Sequence, residues 1–312
     1  MKINEIRPQE NSFTEVLKTL VLNVKMLYYY GNLPKKCPAV AIVGSRKNTS
    51  YGYEVAYQAA YVAAKAGAIV VSGLAYGIDS IAHRGALDAG GLTVAVLGTP
   101  IDQIYPKEHL GLAKEIISRG GAIISEYGPN DLPEGKKEIM ARFLMRNRLI
   151  SGLSDVVLIA EAADRSGSLN TATHALNQGK ELLVTPGDIN RENSRGCNKL
   201  LAQGAQPYTE PDDLLKILFP PQNKQKVTAK STTKTTSSTD NKIENYLERL
   251  APRLETEIER KITSLILFGI KDGEEIVKKL EIPVAEFNQS ITILEIKGIV
   301  RPLGMNKWMI NG

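Results

Sequence analysis

The chain has 312 residues, 43% of them hydrophobic, and carries 39 Lys and Arg against 34 Asp and Glu for a net charge of +5. This is enough to bury ordinary globular cores, and the mild basic excess permits a polyanionic partner without requiring one. Its apolar runs fall far short of a membrane span and residues 1–10 are polar, without the apolar core of a signal peptide, so no membrane partner is expected and a cytoplasmic protein is expected.

Residues 12–30 show a helical spacing of apolar side chains (Phe13, Val16, Leu17, Leu20, Val21, Val24, Leu27), read as a short helical lead-in covering 1–37. Short apolar runs then follow at 39–43, 68–71, 93–97, 122–124, 156–160 and 182–184, each stopping at a small or loop-forming residue. Segments long enough for crossover helices separate them, near 52–66, 79–90, 107–119, 139–153, 168–178 and 196–203, and a last strand is expected at 205–208. Such runs predict parallel strands buried on both faces, an α/β Rossmann-like sheet with helices on both sides over 38–219. In a parallel sheet all strand ends point one way, so the loop residues gather along the carboxyl edge, where open α/β sheets bind ligands. Residues 220–241 turn to Lys, Ser, Thr and Gln and read as a flexible linker. Beyond it, helical patterns at 243–268, 273–280 and 284–297, then a hairpin pattern at 299–310, predict a small C-terminal winged helix over 242–312, with Phe287, Ile291, Leu294 and Ile296 as its core.

Chemistry concentrates at the strand ends. Gly44-Ser45-Arg46 can turn backbone N–H groups, a hydroxyl and a guanidinium fork toward an anion, or can be a tight turn with a solvated arginine. The loop that starts at Ser72-Gly73 and reaches Gly77 and Asp79 opens a helix, but matches neither a dinucleotide fingerprint nor a P-loop. Asp79 reads as a helix cap and His83 as a packed histidine. Ser166-Gly167-Ser168 with Thr171 opens another helix, as a phosphate site or a capping sequence. Glu126 and Glu161 could be an acid/base pair or could hold arginines. In a regular helix Arg146 and Arg148 lie about 200° apart. In Arg146-Asn147-Arg148, therefore, one arginine is expected to reach outward for phosphate and the other to pair inward with a glutamate. Phe143, near Lys136, Lys137 and Arg142, is either core or a stacking platform for a base. Cys37 and Cys197 lack partners at ligand spacing, so neither a disulfide framework nor a metal site is indicated; no cofactor is expected.

With these residues in place the chain resembles the bacterial DNA-processing protein A (DprA/Smf) family. The matching segments include Ile42-Val-Gly-Ser-Arg46, Ser72-Gly-Leu-Ala75 with Gly77-Ile-Asp79, Tyr105-Pro106, Ser125-Glu126, Arg146-Asn-Arg148, Ser166-Gly-Ser168 and Gly196-Cys-Asn198. Coverage runs from about residue 26 to 215. The resemblance implies a single-stranded DNA-binding core without catalytic turnover. It also implies a homodimer and a mediator that loads the RecA recombinase onto incoming strands during natural transformation. Two departures stand out. The roughly 25 residues before the match are too few for the helical N-terminal domain of many members, and Leu144 follows Phe143 where the family usually has proline, which lets that helix start earlier.

The candidate DNA interface is accordingly Gly44, Ser45, Arg46, Ser72, Gly73, Lys136, Lys137, Arg142, Phe143, Arg146, Asn147, Arg148, Ser166, Gly167, Ser168 and Thr171. Arg46, Lys136, Lys137, Arg142 and Arg146 are expected on phosphates, and a dimer contact between residues 196 and 216. The alternative is a nucleotide-processing hydrolase working with Glu161 and the 166–171 loop at the same edge.

Overall fold

The computed structural model describes residues 2–20, 22–220, 254, 256–267, 270, 272–304 and 306–310. The chain divides into two units, Met1–Lys224 and Gln225–Gly312. The linker expectation at 220–241 lies almost wholly outside the described residues, as does the start of the helix expected at 243–268.

The first unit is built on nine strands: β1 (Asn4–Ile6), β2 (Leu27–Gly31), β3 (Ala39–Gly44), β4 (Ile69–Ser72), β5 (Thr93–Leu97), β6 (Ala122–Ser125), β7 (Val156–Glu161), β8 (Glu181–Val184) and β9 (Gln206–Pro207). They lie in the order β1-β2-β6-β5-β4-β3-β7-β8-β9. Every pairing from β6 through β9 is parallel, and β1 and β2 are antiparallel additions at the β6 edge. Interleaved are α1 (Ser50–Lys65), α2 (Ile78–Asp88), α3 (Leu110–Ser118), α4 (Lys136–Gly152), α5 (Ser168–Asn177), α6 (Glu192–Ala202) and α7 (Pro211–Leu218). The sheet is thus mostly parallel and Rossmann-like, as the apolar runs predict.

Strand periodicity sorts the core. On β3, Val40 and Ile42 pack on one face with Ala56, Ala59, Ala60 and Ala63 of α1, while Ala41 and Val43 face the other with Leu149 and Ile150 of α4. Full burial of an Ile or Val of this kind contributes about 1.5–3 kcal/mol. Alanines spaced three and four apart give α1 a flat stripe that admits α2 closely: a Cβ on Gly85 would stand 2.6 Å from the Tyr57 carbonyl oxygen.

The lead-in helix does not form. Residues 12–30 are not a helix: Glu15–Thr19 form a 3-10 turn and Leu27–Gly31 a strand that pairs with β6. Phe13, Leu17, Leu20 and Val24 are all buried, so the helical spacing was a real burial signal produced by a short turn and an extended segment. The consecutive tyrosines Tyr28-Tyr29-Tyr30 favour strand.

In the second unit α8 (Glu257–Leu267), α9 (Gly273–Leu280) and α10 (Val284–Ile296) precede a hairpin of β10 (Val300–Gly304) and β11 (Lys307–Ile310), the element order of a winged helix. Asp272 caps α9 by accepting from the backbone N–H groups of Glu274 and Glu275 at 3.0 and 3.3 Å. Phe287, Ile291 and Leu294 join Ile262, Ile266 and Ile276 in its core, but Ile296 does not: it is 80% exposed, because it projects from the far side of α10.

Candidate nucleic-acid interface

The chain leaves β3 for β4 on one side and returns to β7 on the other, so the switch point of the sheet lies between the carboxyl ends of β3 and β7. There the Ser45 N–H donates to the Glu161 carbonyl at 2.8 Å, and the Ile78 N–H to the Ser45 carbonyl at 3.1 Å. Gly77 makes this approach possible. Its φ is +74°, and a Cβ would run into the Ser45 carbonyl oxygen.

Above this point opens a groove of about 1150 Å³ between the 44–47 loop, α4, the 163–168 loop and the start of α6. Gly44, Ser45, Arg46, Lys136, Phe143, Arg146, Asn147, Ser166, Gly167, Ser168 and Thr171 all line it. So do Lys47, Tyr105, Arg165 and Arg195, which the sequence reading missed. Arg46, Lys47, Lys136, Arg165 and Arg195 are exposed, giving the groove a cationic rim. On the acidic side, Asp164 is paired with Lys199 at 2.9 Å, and Glu192 joins the lining. Phe143 is half-buried on the groove wall, with its ring packed toward Gly98, the Arg46 guanidinium 5.8 Å from its centroid and the Tyr105 ring 5.5 Å away. Ser166 and Ser168 share a hydroxyl hydrogen bond of 2.7 Å at the start of α5.

The charged residues of the motifs behave differently from the expectation. Arg146 does not reach outward: it is 4% exposed, donates to the Gly73 carbonyl at 2.8 Å and to that of Val96, and so ties α4 to the ends of β4 and β5. Burial pushes its pKa down to about 10, with the nearby Asp79 carboxylate acting against this, so it stays charged at neutral pH. Arg148 does pair inward, with Glu126 at 2.7 Å. Both arginines are therefore buried, on the opposite sides that helical geometry dictates. Asn147, between them, donates to Gly167 and Asn170 and holds the α5 loop.

Arg142 also turns from the groove. Its guanidinium is held by Glu138 and Asp131 at 2.7 and 2.9 Å and stacks 4.2 Å from the Tyr127 centroid. Lys137 is exposed outside the groove lining. Ser72 is buried, donating to the Ile42 carbonyl at 2.7 Å, and Gly73 is enclosed because a Cβ there would meet the Asp79 carboxylate at 2.6 Å. Helix α4 starts at Lys136 and runs unbroken through Leu144, as the missing proline allows.

Asp79 is not the cap of α2. Gly77 holds that position, and the buried Asp79 carboxylate accepts from the Gly73 N–H at 3.0 Å. Burial raises its pKa, while Arg146 and the Ala75 and Gly73 N–H groups oppose the rise. Glu161 is likewise engaged: its carboxylate accepts from the Thr49 N–H at 2.9 Å and the Thr49 hydroxyl at 2.7 Å, fixing the cap of α1. The two glutamates therefore have separate structural partners rather than forming an acid/base pair. His83 is packed, with Nδ1 2.7 Å from the Thr93 hydroxyl, and burial pushes its pKa to about 3. Since that hydroxyl donates to the Val70 carbonyl, His83 Nδ1 is the donor. Among the described residues no His, Cys, Asp and Glu cluster could hold a metal ion, both cysteines are free, and no helix is long and apolar enough to cross a membrane.

Fold and site together define a doubly wound α/β protein whose ligand edge is an open, cation-rimmed groove at the switch point. A family model, DNA recombination-mediator protein A, matches residues 4–219, and the chain belongs to that family. It is 44% identical over 179 residues to Protein Smf of Escherichia coli, covering 57% of this chain and 46% of that protein. It is 40% identical over 191 residues to DNA processing protein DprA of Streptococcus pneumoniae, covering 61% and 65%. It thus spans less than two thirds of the length of these curated relatives. Among solved structures, DprA from Streptococcus pneumoniae superposes with a TM-score of 0.62 at 36% identity, over 70% of this chain and 75% of that one. DNA processing protein A from Helicobacter pylori, in a structure that describes its single-stranded DNA binding mode, gives 0.60 at 32% over 69% and 95%.

Proposed function

We propose that the chain binds single-stranded DNA in the switch-point groove and acts without turnover, as a mediator that hands the strand to the RecA recombinase during transformation. The observation that carries this reading is the combination within one groove of five exposed cations with the half-buried Phe143 ring. Phosphate neutralisation supplies sequence-independent affinity, and an aromatic face accepts any base. That the Helicobacter pylori relative binds single-stranded DNA supports it. The hydrolase alternative loses support because Glu161, its candidate base, is spent on Thr49.

Fluorescence anisotropy with labelled single- and double-stranded oligonucleotides over a salt series tests the proposal. Single strands should bind more tightly, and Arg46→Ala should weaken binding and lower the log-log salt slope by about 0.7. An unchanged affinity and slope would show that the groove is not the site. We further propose a cytoplasmic homodimer joined through residues 196–216. A monomer by light scattering at micromolar concentration, with and without DNA, would defeat the dimer.

A further inference from the structure

Phe143 is not alone on the groove wall. Tyr105 lines the groove 5.5 Å from it with the rings inclined at 53°, and remains 48% exposed. No hydrogen bond fixes the Tyr105 hydroxyl to another described residue, so its ring is free to present a face. Tyr76, 41% exposed, stands on the 73–77 loop, whose backbone is pressed against Ser45 and Arg46 through Gly77. Its ring is held in place by two contacts: its hydroxyl donates to the Glu108 carboxylate at 2.5 Å, and it meets the His109 ring edge-on at 5.1 Å. His109 is fixed in turn by donating Nδ1–H to the Leu74 carbonyl at 2.8 Å, where Leu74 adopts a left-handed φ of +59°. A ring immobilised in advance loses little entropy when something stacks on it.

We propose that Phe143, Tyr105 and Tyr76 form a row of stacking platforms, in which Tyr105 and Tyr76 take further bases of a strand that Phe143 engages in the groove. This deepens the single-strand reading and rests on it. Charge gives the row its orientation. Glu108, beside Tyr76, repels phosphate, whereas Arg46, Lys47 and Lys136 stand on the groove side. A bound strand therefore turns its bases to the rings and its backbone to the cations. The row implies a preference for strands long enough to leave the groove, which a site built on Phe143 alone would lack.

The test uses the full chain with oligothymidylates of increasing length, by anisotropy at several salt concentrations. Tyr105→Ala and Tyr76→Ala should each weaken binding of the longer strands at least about fivefold, with less effect on the shortest. The salt slope should be unchanged, because no phosphate contact is lost. Tyr53→Ala, an exposed tyrosine on α1 outside the groove, serves as the control and should bind as the unaltered chain does. Tyr105→Trp gives an independent readout if the alanine variant folds poorly: its added emission should be quenched by the strand. If both alanine variants bind every length normally while Arg46→Ala is impaired, or if the tryptophan is not quenched, the row is overturned and the groove reading stands. If Arg46→Ala is also without effect, the groove reading itself fails.

Discussion

Removing Arg148 should destabilise the first unit without directly touching the switch-point groove. Its guanidinium lies 2.7 Å from Glu126, with side-chain exposures of 8% and 15%. At that separation and an effective dielectric of 20, the attraction is about 6 kcal/mol. Desolvation of the buried Arg148 and the part-buried Glu126 takes back several kcal/mol, and among the described residues Arg148 Nε and Nη1 have no hydrogen-bond partner, so the net worth of the pair is small. Breaking it is another matter, since Arg148→Ala leaves the part-buried Glu126 carboxylate uncompensated. The expected loss is about 3 kcal/mol, at the lower end for such pairs because Glu126 keeps some access to water. That corresponds to a drop of about 6–12 °C in Tm for a unit of this size. Replacing both partners (Glu126→Gln with Arg148→Met) should recover all but about 1 kcal/mol. Urea unfolding followed by circular dichroism measures both, and anisotropy on the folded variant should give near-native single-strand affinity. An Arg148→Ala protein that melts like the parent yet loses DNA affinity would refute this reasoning and make Arg148 a DNA contact.

Gly77→Ala should cost about 2 kcal/mol or more and weaken single-strand binding, because both its positive φ and the Ser45 carbonyl oppose a Cβ; unchanged melting would disprove the close approach of the two loops. His83 has a folded pKa of about 3 against an ordinary 6.5, so the unfolded chain takes a proton that the folded one refuses. Its contribution is complete above pH 6.5 and declines by about 1.4 kcal/mol per pH unit as pH falls toward 3. A His83→Leu variant should show a correspondingly shallower acid dependence in urea titrations at pH 7, 6 and 5. A chain ending at Pro221 should keep single-strand affinity within about tenfold. The exposed face of α10 offers Asn288, Gln289, Thr292 and Ile296 rather than cations, and Lys297 bonds to Glu259 at 3.1 Å. A larger loss would assign DNA binding to the tail.

The parallel sheet was legible because its strands are short apolar runs buried on both faces, a pattern that 39–43 and 156–160 display without interruption. The lead-in was not, since Phe13, Leu17, Leu20 and Val24 satisfy helical spacing while their burial is set by tertiary packing, with Leu17 and Leu20 set against Gly152 of α4. At the site, the strand-end loops announced the groove through their glycines and hydroxyls. The rim was harder to read. Arg195 lies in the first turn of α6, far along the chain from Arg46, and only the sheet order brings the two to one groove. Arg165 had a local signal that went unused, standing immediately before the Ser166 loop.

The most distinctive charged residues are the buried ones. Ends of parallel strands leave carbonyl and N–H groups that no helix or ladder satisfies, and at a switch point two such loops must meet. Arg146 answers two carbonyls, Asp79 a backbone N–H and Glu161 both groups of Thr49, each from a neighbouring element. These side chains are specified by geometry, so they occur in recognisable motifs, and their charges are consumed in joining loops. A ligand met at this edge then finds backbone, hydroxyls and rings in the floor and whatever cations the rim supplies. A site so constructed would suit a long, uniformly charged polymer, since affinity could be spread over replaceable rim lysines and arginines while the loops that shape the groove are held by buried hydrogen bonds.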